Sequence, residues 1–264
     1  MSFVFVFLLG LIVGSFLNCV IYRLDKKESP LFGRSFCPHC HHKLEWFDLI
    51  PIVSFLLLKG KCRYCHKKIS WQYPIIEITV ALLFLFLAVW LKLKIQLSSL
   101  LEFSFLAIIF SFLIIIFVYD LKKYIIPDKV IFPAIFIAFF YQIFKAIEFE
   151  KKGFDVFFFW WAIFSAFVAA GFFLSIYLIS KGKWLGFGDV KLVFFMGLFL
   201  SWPKILEAIF LAFLIGAIVG IILIAKGKKT PDSEIPFAPF LVTATLIVFF
   251  EGGRLFQWYL SGFF

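Results

Sequence analysis

Two aspartates stand where long apolar runs meet polar loops. Asp189 lies in Leu185-Gly186-Phe187-Gly188-Asp189-Val190-Lys191, and Asp120 closes an earlier run in Val118-Tyr119-Asp120-Leu121-Lys122-Lys123. An ionisable side chain at a membrane boundary costs free energy and is by default a candidate site. Gly186 and Gly188 remove side chains just before Asp189, which suits close approach of another backbone such as a peptide substrate. Two carboxylates that meet at the edges of separate membrane helices share a proton, as amide hydrolysis by an aspartic mechanism requires. Asp189 is expected at a helix N-terminus, where the dipole favours the anion and so the base. Asp120 is expected at a helix C-terminus, where dipole and desolvation favour the protonated donor. The pair titrates as a unit. No Ser-His-Asp set is apparent.

A second group is made of sulfur. Cys37-Pro38-His39-Cys40 and Cys62-Arg63-Tyr64-Cys65 are two C-x-x-C pairs with the spacing of a four-cysteine zinc knuckle. Adjacent thiolates on one tight turn both reach a tetrahedral ion. Two disulfides or one redox-active pair are the alternatives; a reducing cytosol disfavours the first, and neither pair lies in a strand-helix context. His39, His41, His42 and His66 flank the sulfurs and are read as solvated. The metal is expected to be structural, because so polar a segment has too little core to fold alone. Cys19 lies outside the pairs and is expected to be a small buried hydrophobe.

Other polar residues receive more than one reading. Glu77, just inside an apolar run opened by Pro74, is either a first-turn acid favoured by the dipole or an inward-facing group near the active centre or a cofactor. Asp128 is read as a first-turn acid, and Lys191 either draws the aspartates toward ionisation or snorkels. Gly14, Ser15 and Asn18 share one helical face, which marks helix packing or a substrate-facing surface.

These groups need helices to hold them. The chain has 264 residues, of which 63% are hydrophobic and 42 are Phe, and its mean hydropathy is +1.04. A soluble domain is nearer half apolar. The fold class expected is an all-α polytopic membrane protein with about eight transmembrane helices, near residues 3–22, 74–92, 100–119, 130–147, 156–179, 189–203, 205–225 and 236–260. A small zinc-binding cytoplasmic loop domain separates the first two. The domains are read as 1–23, the first span; 24–73, the knuckle loop; and 74–264, a seven-helix peptidase core. The start has no basic region before its apolar run, so it reads as a span and not as a cleavable signal.

The net charge of +10 invites a nucleic-acid reading, but topology accounts for it. About three quarters of the basic residues fall in loops on one side, which the positive-inside rule assigns to the cytoplasm. Both termini then lie outside, and Asp120 and Asp189 fall at the cytoplasmic face. Lys145 to Asp155 reads as a short exterior connector. The aromatic run Phe157 to Trp161 reads as an interfacial belt, and Ala169-Ala170-Gly171 and Gly216/Gly220 as close-packing surfaces. Pro236 suits a helix start; Pro239 beside it is expected to free backbone carbonyls next to a cavity. No internal repeat is apparent.

In this order the motifs resemble those of the bacterial type IV prepilin peptidases. The resemblance covers Gly14 to Leu24, Arg34 to Cys40, Lys59 to Cys65, Ile69-Ser70, Tyr73 to Glu77, Asp120 through Ile126-Pro127-Asp128, Gly186 to Leu192 and Ile235 to Leu241. Ala238 stands where the family often has Gly, and Gln72 where it often has Arg. The resemblance implies cleavage of prepilins or pseudopilins of type IV pilus and type II secretion systems, after the glycine preceding the mature N-terminus, at the cytoplasmic face of the inner membrane. It implies methylation of the new amino group from S-adenosyl-L-methionine. It makes Asp120 and Asp189 catalytic, and it ties the cysteine loop (Cys37, Cys40, Cys62, Cys65) to zinc and to methyl transfer. The methyl donor's pocket is not mapped; a G-x-G-x-x-G after a strand is absent, and Glu77 is a candidate. Partners implied are pilin substrates and the bilayer, with no nucleic acid and no assignment of oligomeric state. The rivals are a monofunctional membrane aspartyl peptidase and a non-enzymatic transporter or scaffold with a knuckle docking loop.

Overall fold

The computed structural model describes residues 3–26, 29, 33–149, 156–230 and 233–261. Residues 150–155 of the expected exterior connector, and 231–232 of the last basic loop, lie outside them. The described chain is helical: α1 (Phe3–Lys26), a 3-10 turn (Trp46–Leu49), α2 (Val53–Leu57), α3 (Gln72–Trp90), α4 (Leu97–Lys123), α5 (Asp128–Phe149), α6 (Val156–Ser180), α7 (Phe187–Leu200), α8 (Lys204–Ala225) and α9 (Ala238–Ser261). No strand is present among the described residues, only isolated β-bridges at Phe36–Lys43 and Lys61–Lys68.

The long helices are apolar on nearly all sides, as lipid-facing helices are. Six of them are long and apolar enough to cross a membrane: Phe3–Lys26, Gln72–Trp90, Leu97–Lys123, Asp128–Ile147, Phe159–Ser180 and Lys204–Ala225. Of the two remaining expected spans, one is α9, 24 residues long, which is apolar over Ala238–Gly252. The other is α7, whose 14 residues reach only about 21 Å against a hydrocarbon core of about 30 Å.

Two compact units are present, residues 1–111 and 112–264. In the first, α1 packs along α3. A side-chain carbon added at Gly10 would come within 2.5 Å of the Ala81 backbone, and one at Gly14 within 2.7 Å of the Glu77 Cα. Gly10 and Gly14 form a small-xxx-small contact. Asn18 completes it, donating to the carbonyls of Gly14 (3.3 Å) and Tyr73 (3.1 Å) and accepting from Gln72 (3.2 Å). The packing reading of this face holds.

In the second unit α7 is the central helix. It contacts α5, α6, α8 and α9, and Val190, Leu192, Val193 and Phe195 to Leu200 are all buried. Gly197 lies against the Ala166 backbone, 2.6 Å from an added Cβ, and Ala162 and Ala166 of α6 are fully buried. Of the expected close-packing surface, Ala169 is buried while Gly171 faces open space. In α8, Gly216 receives Phe240 of α9. Trp202-Pro203, joined by a cis bond, marks the expected break between α7 and α8.

Candidate active site and metal centre

The local sequence sets each aspartate. Gly186 is extended (φ −75°, ψ 147°) and caps α7, so Asp189 becomes the third helical residue. Its carboxylate reaches back to accept the Gly186 N–H at 3.2 Å, one half of a capping box. Asp120 lies in the last turn of α4, where Tyr124 N–H closes onto the Asp120 carbonyl at 2.9 Å and Tyr124 takes a left-handed φ of 58°. Asp120 is 5% exposed, and the backbone N–H of Ala238 lies toward its carboxylate. The structure brings the two acids near enough for the charge of Asp120 to act on Asp189.

Gly188 differs from expectation: a Cβ there would sit 3.1 Å from Ile126 Cβ, so this glycine admits Ile126, in the loop that follows Asp120. Gly186 is exposed, and a Cβ there would make only ordinary contact, 3.4 Å from the Asp189 carboxylate. Pro239 also differs: it sits in the first turn of α9, where a missing N–H breaks no helical bond. The adjacent Ala238 N–H is one of the orphan donors of a helix start, and it lies toward Asp120.

Lys191 does not point at the acids. Its ammonium pairs with Asp128 at 2.5 Å and lies over the rings of Phe132 (5.2 Å) and Phe187 (5.0 Å). Asp128 begins α5 as expected, and it also ties α5 to the start of α7. The other end of α7 is held by Gln142, 1% exposed, which donates to the carbonyls of Leu198 (2.6 Å) and Phe199 (3.1 Å). Sequence reading missed Gln142, although a lone amide inside an apolar span is a signal for such a partner.

The four paired cysteines also converge. The sulfurs of Cys37, Cys40, Cys62 and Cys65 all lie within 4.8 Å of one another, with Cys37 and Cys65 3.9 Å apart. A tetrahedral zinc site with bonds of about 2.3 Å needs sulfurs about 3.8 Å apart, so this donor set fits that ion after a small contraction. All four are free thiols. Cys19 stands apart and is half-exposed, not buried.

The two turns repeat each other 25 positions apart, a repeat the sequence reading did not see. Cys37 N–H bonds to His42 O and Cys62 N–H to Lys67 O; His41 N–H bonds to Cys37 O and His66 N–H to Cys62 O. His41 (φ 54°) and His66 (φ 56°) take the left-handed position, which His tolerates better than most residues. The histidines thus shape turns, and His42 packs at a tilt against Tyr64 with centroids 3.6 Å apart. Asp48 adds a polar link, accepting from Arg63 (2.8 Å) and Tyr64 (3.0 Å). Burial pushes the Asp48 carboxyl up, but these bonds outweigh it and hold it below its ordinary value. Burial likewise pushes the Cys37 thiol up, yet the N–H groups of Cys40 and His39 and the neighbouring thiols bring it down to about 7, favouring the thiolate that binds metal.

Glu77 is buried, 5% exposed, in the second turn of α3. It accepts the Ile52 N–H at 2.8 Å. Ile52 has φ 61°, a strained value for a β-branched residue. The carboxylate thus serves as a tether between a membrane helix and the cysteine segment.

Comparison with known proteins gives the same picture along the chain. Residues 8–91 match the bacterial Peptidase A24 N-terminal domain, and residues 107–221 match the type IV leader peptidase family. The chain is similar to the prepilin leader peptidase/N-methyltransferase of Bacillus subtilis, at 30% identity over 97% of this chain and 96% of that protein. It is similar to those of Aeromonas salmonicida (29%, covering 98% and 94%) and Pseudomonas aeruginosa (28%, covering 96% and 92%). No solved structure matches. With an identity of 30% sustained over nearly the whole of both chains, this protein belongs to the type IV leader peptidase family.

Proposed function

We propose that this protein cleaves the leader peptides of prepilins or pseudopilins and N-methylates the residue so exposed. The observation that carries the cleavage is that the charge of Asp120 reaches Asp189, 69 positions further along the chain in the same unit, with the Gly186 N–H on the Asp189 carboxylate. One carboxylate removes a proton from water, which attacks the scissile carbonyl. The other, protonated, donates to the carbonyl oxygen, and protons then pass to the leaving amine. No covalent intermediate on the enzyme forms. Asp189 in the first turn of α7 and Asp120 in the last turn of α4 support Asp189 as the base and Asp120 as the proton donor of a pair that titrates as a unit.

Cys37, Cys40, Cys62 and Cys65 hold zinc, which supplies folding free energy to the segment between α1 and α3. S-adenosyl-L-methionine supplies the methyl group. The charge distribution supports a place in the cytoplasmic membrane, with the aspartates at the cytoplasmic face and both termini outside. The substrates belong to type IV pili or type II secretion. The test is incubation of the purified protein with a prepilin and S-adenosylmethionine, followed by mass spectrometry of the product's N-terminus. A cleaved and singly methylated product is expected; an intact leader after prolonged incubation rejects the peptidase, and a cleaved, unmethylated product rejects the second activity.

A further inference from the structure

The segment joining the two cysteine turns carries an apolar edge that neither site uses. In the 3-10 turn and α2, Trp46, Leu56 and Leu57 are 76%, 65% and 76% exposed, with Leu49 and Val53 exposed beside them. Grouped exposure of this kind marks an interaction surface.

Three observations identify what covers it. First, Trp71, at the foot of α3, packs edge-on against Phe55 of α2 with centroids 5.1 Å apart. Trp71 starts the stripe Ile75, Ile78, Leu82 and Phe86 that α3 leaves exposed. In a helix fit to cross a membrane, that stripe is the lipid-facing side, and α2 packs at its foot through Phe55. Second, the Ile52 N–H, which lies between the 3-10 turn and α2, is bonded to Glu77. Glu77 is five residues beyond Gln72, the first residue of α3, or about 7.5 Å along the helix axis. The chain at Ile52 therefore sits at the depth of the second turn of a membrane helix. Third, Lys59, Lys61, Lys67 and Lys68 follow α2 and are exposed, which suits anionic headgroups.

We propose that residues 46–57 lie in the membrane interface as a monotopic hairpin, with lipid of the adjoining leaflet covering Trp46, Leu49, Val53, Leu56 and Leu57. Glu77 is the positioning residue that sets its depth, and the hairpin holds the cysteine turns at the membrane surface.

The test uses the full chain reconstituted in phosphatidylcholine and phosphatidylglycerol vesicles. Subtracting the fluorescence of Trp46→Phe from that of the unsubstituted protein isolates Trp46. Lipid brominated near the headgroup end of its acyl chains should quench that signal several-fold, while aqueous acrylamide should leave it largely intact. Quenching by acrylamide and not by lipid overturns the proposal. So does protection from both, which reports a protein cover such as a second copy. The Leu56→Glu/Leu57→Glu variant, altered only at exposed positions, should transfer Trp46 from lipid to acrylamide quenching with its metal content unchanged. Persistent lipid quenching in that variant also counts against the proposal.

Discussion

The cysteine segment and the aspartate centre are built in opposite ways. Between residues 33 and 71 only Cys37, Phe55 and Cys62 are buried. Its geometry is local: each turn closes its own hydrogen bonds, and the two halves meet through sulfur, a tilted His42–Tyr64 pair and the Asp48 bonds. The aspartate centre has no local unit. Asp189 is held by α7, which is packed on several sides and gripped by α5 at both ends, and the loop after Asp120 docks there through Ile126 against Gly188. The first region has almost no core of its own and offers four converging sulfurs in its place. In the second, folding depends on apolar packing, and the polar groups are free to be specialised for chemistry.

That contrast predicts different failures. Asn at Asp120 or Asp189 should slow leader cleavage by about 10²–10⁴-fold, the range for a positioned acid–base group, with the protein still folded in the membrane. Near-normal cleavage by either variant, followed by mass spectrometry, would break the dyad. Cys37→Ser combined with Cys62→Ser should remove the metal. Zinc binding of this kind carries about 10–16 kcal/mol of apparent free energy, so hydrogen exchange should rise across 33–71 while the α5–α9 amides stay protected. Full metal content by elemental analysis would sink the zinc assignment, and loss of protection throughout would erase the contrast between the regions.

Smaller changes sharpen the comparison. Gly188→Val adds a carbon 3.1 Å from Ile126 and should cost about 1–3 kcal/mol by overpacking, read as a lower melting temperature together with slower cleavage. An unchanged melt would mean that the loop after Asp120 yields freely. Asp48→Asn takes the charge from a side chain only 3% exposed and should loosen the cysteine segment by about 1–3 kcal/mol. Because the folded carboxyl is held below its ordinary value, its contribution is present above the unfolded value and lost as pH falls through the folded one. The variant should lack that acid-dependent step in a titration of segment unfolding. Asp128→Asn should do least: its side chain is 60% exposed, and such pairs contribute about 0–1 kcal/mol. Cleavage rates should stay within about twofold; a large loss would move Lys191 and Asp128 into the catalytic machinery.

What the sequence determined is what depends on composition and short spacing. Apolar runs near the length of a bilayer required helices, and C-x-x-C pairs required tight turns that present two sulfurs. Gly-x-Gly-Asp before an apolar run placed a carboxylate in a first helical turn. Only the tertiary structure decided which groups those elements meet. It assigned Gly188 to Ile126, the Ala238 N–H to Asp120, Gln142 to the end of α7, Lys191 to Asp128, and Glu77 to the strained Ile52. Most of these contacts join residues tens of positions apart. Their existence depends on how helix surfaces interlock, and helices apolar all round carry no stripe that would announce the interlocking face in advance.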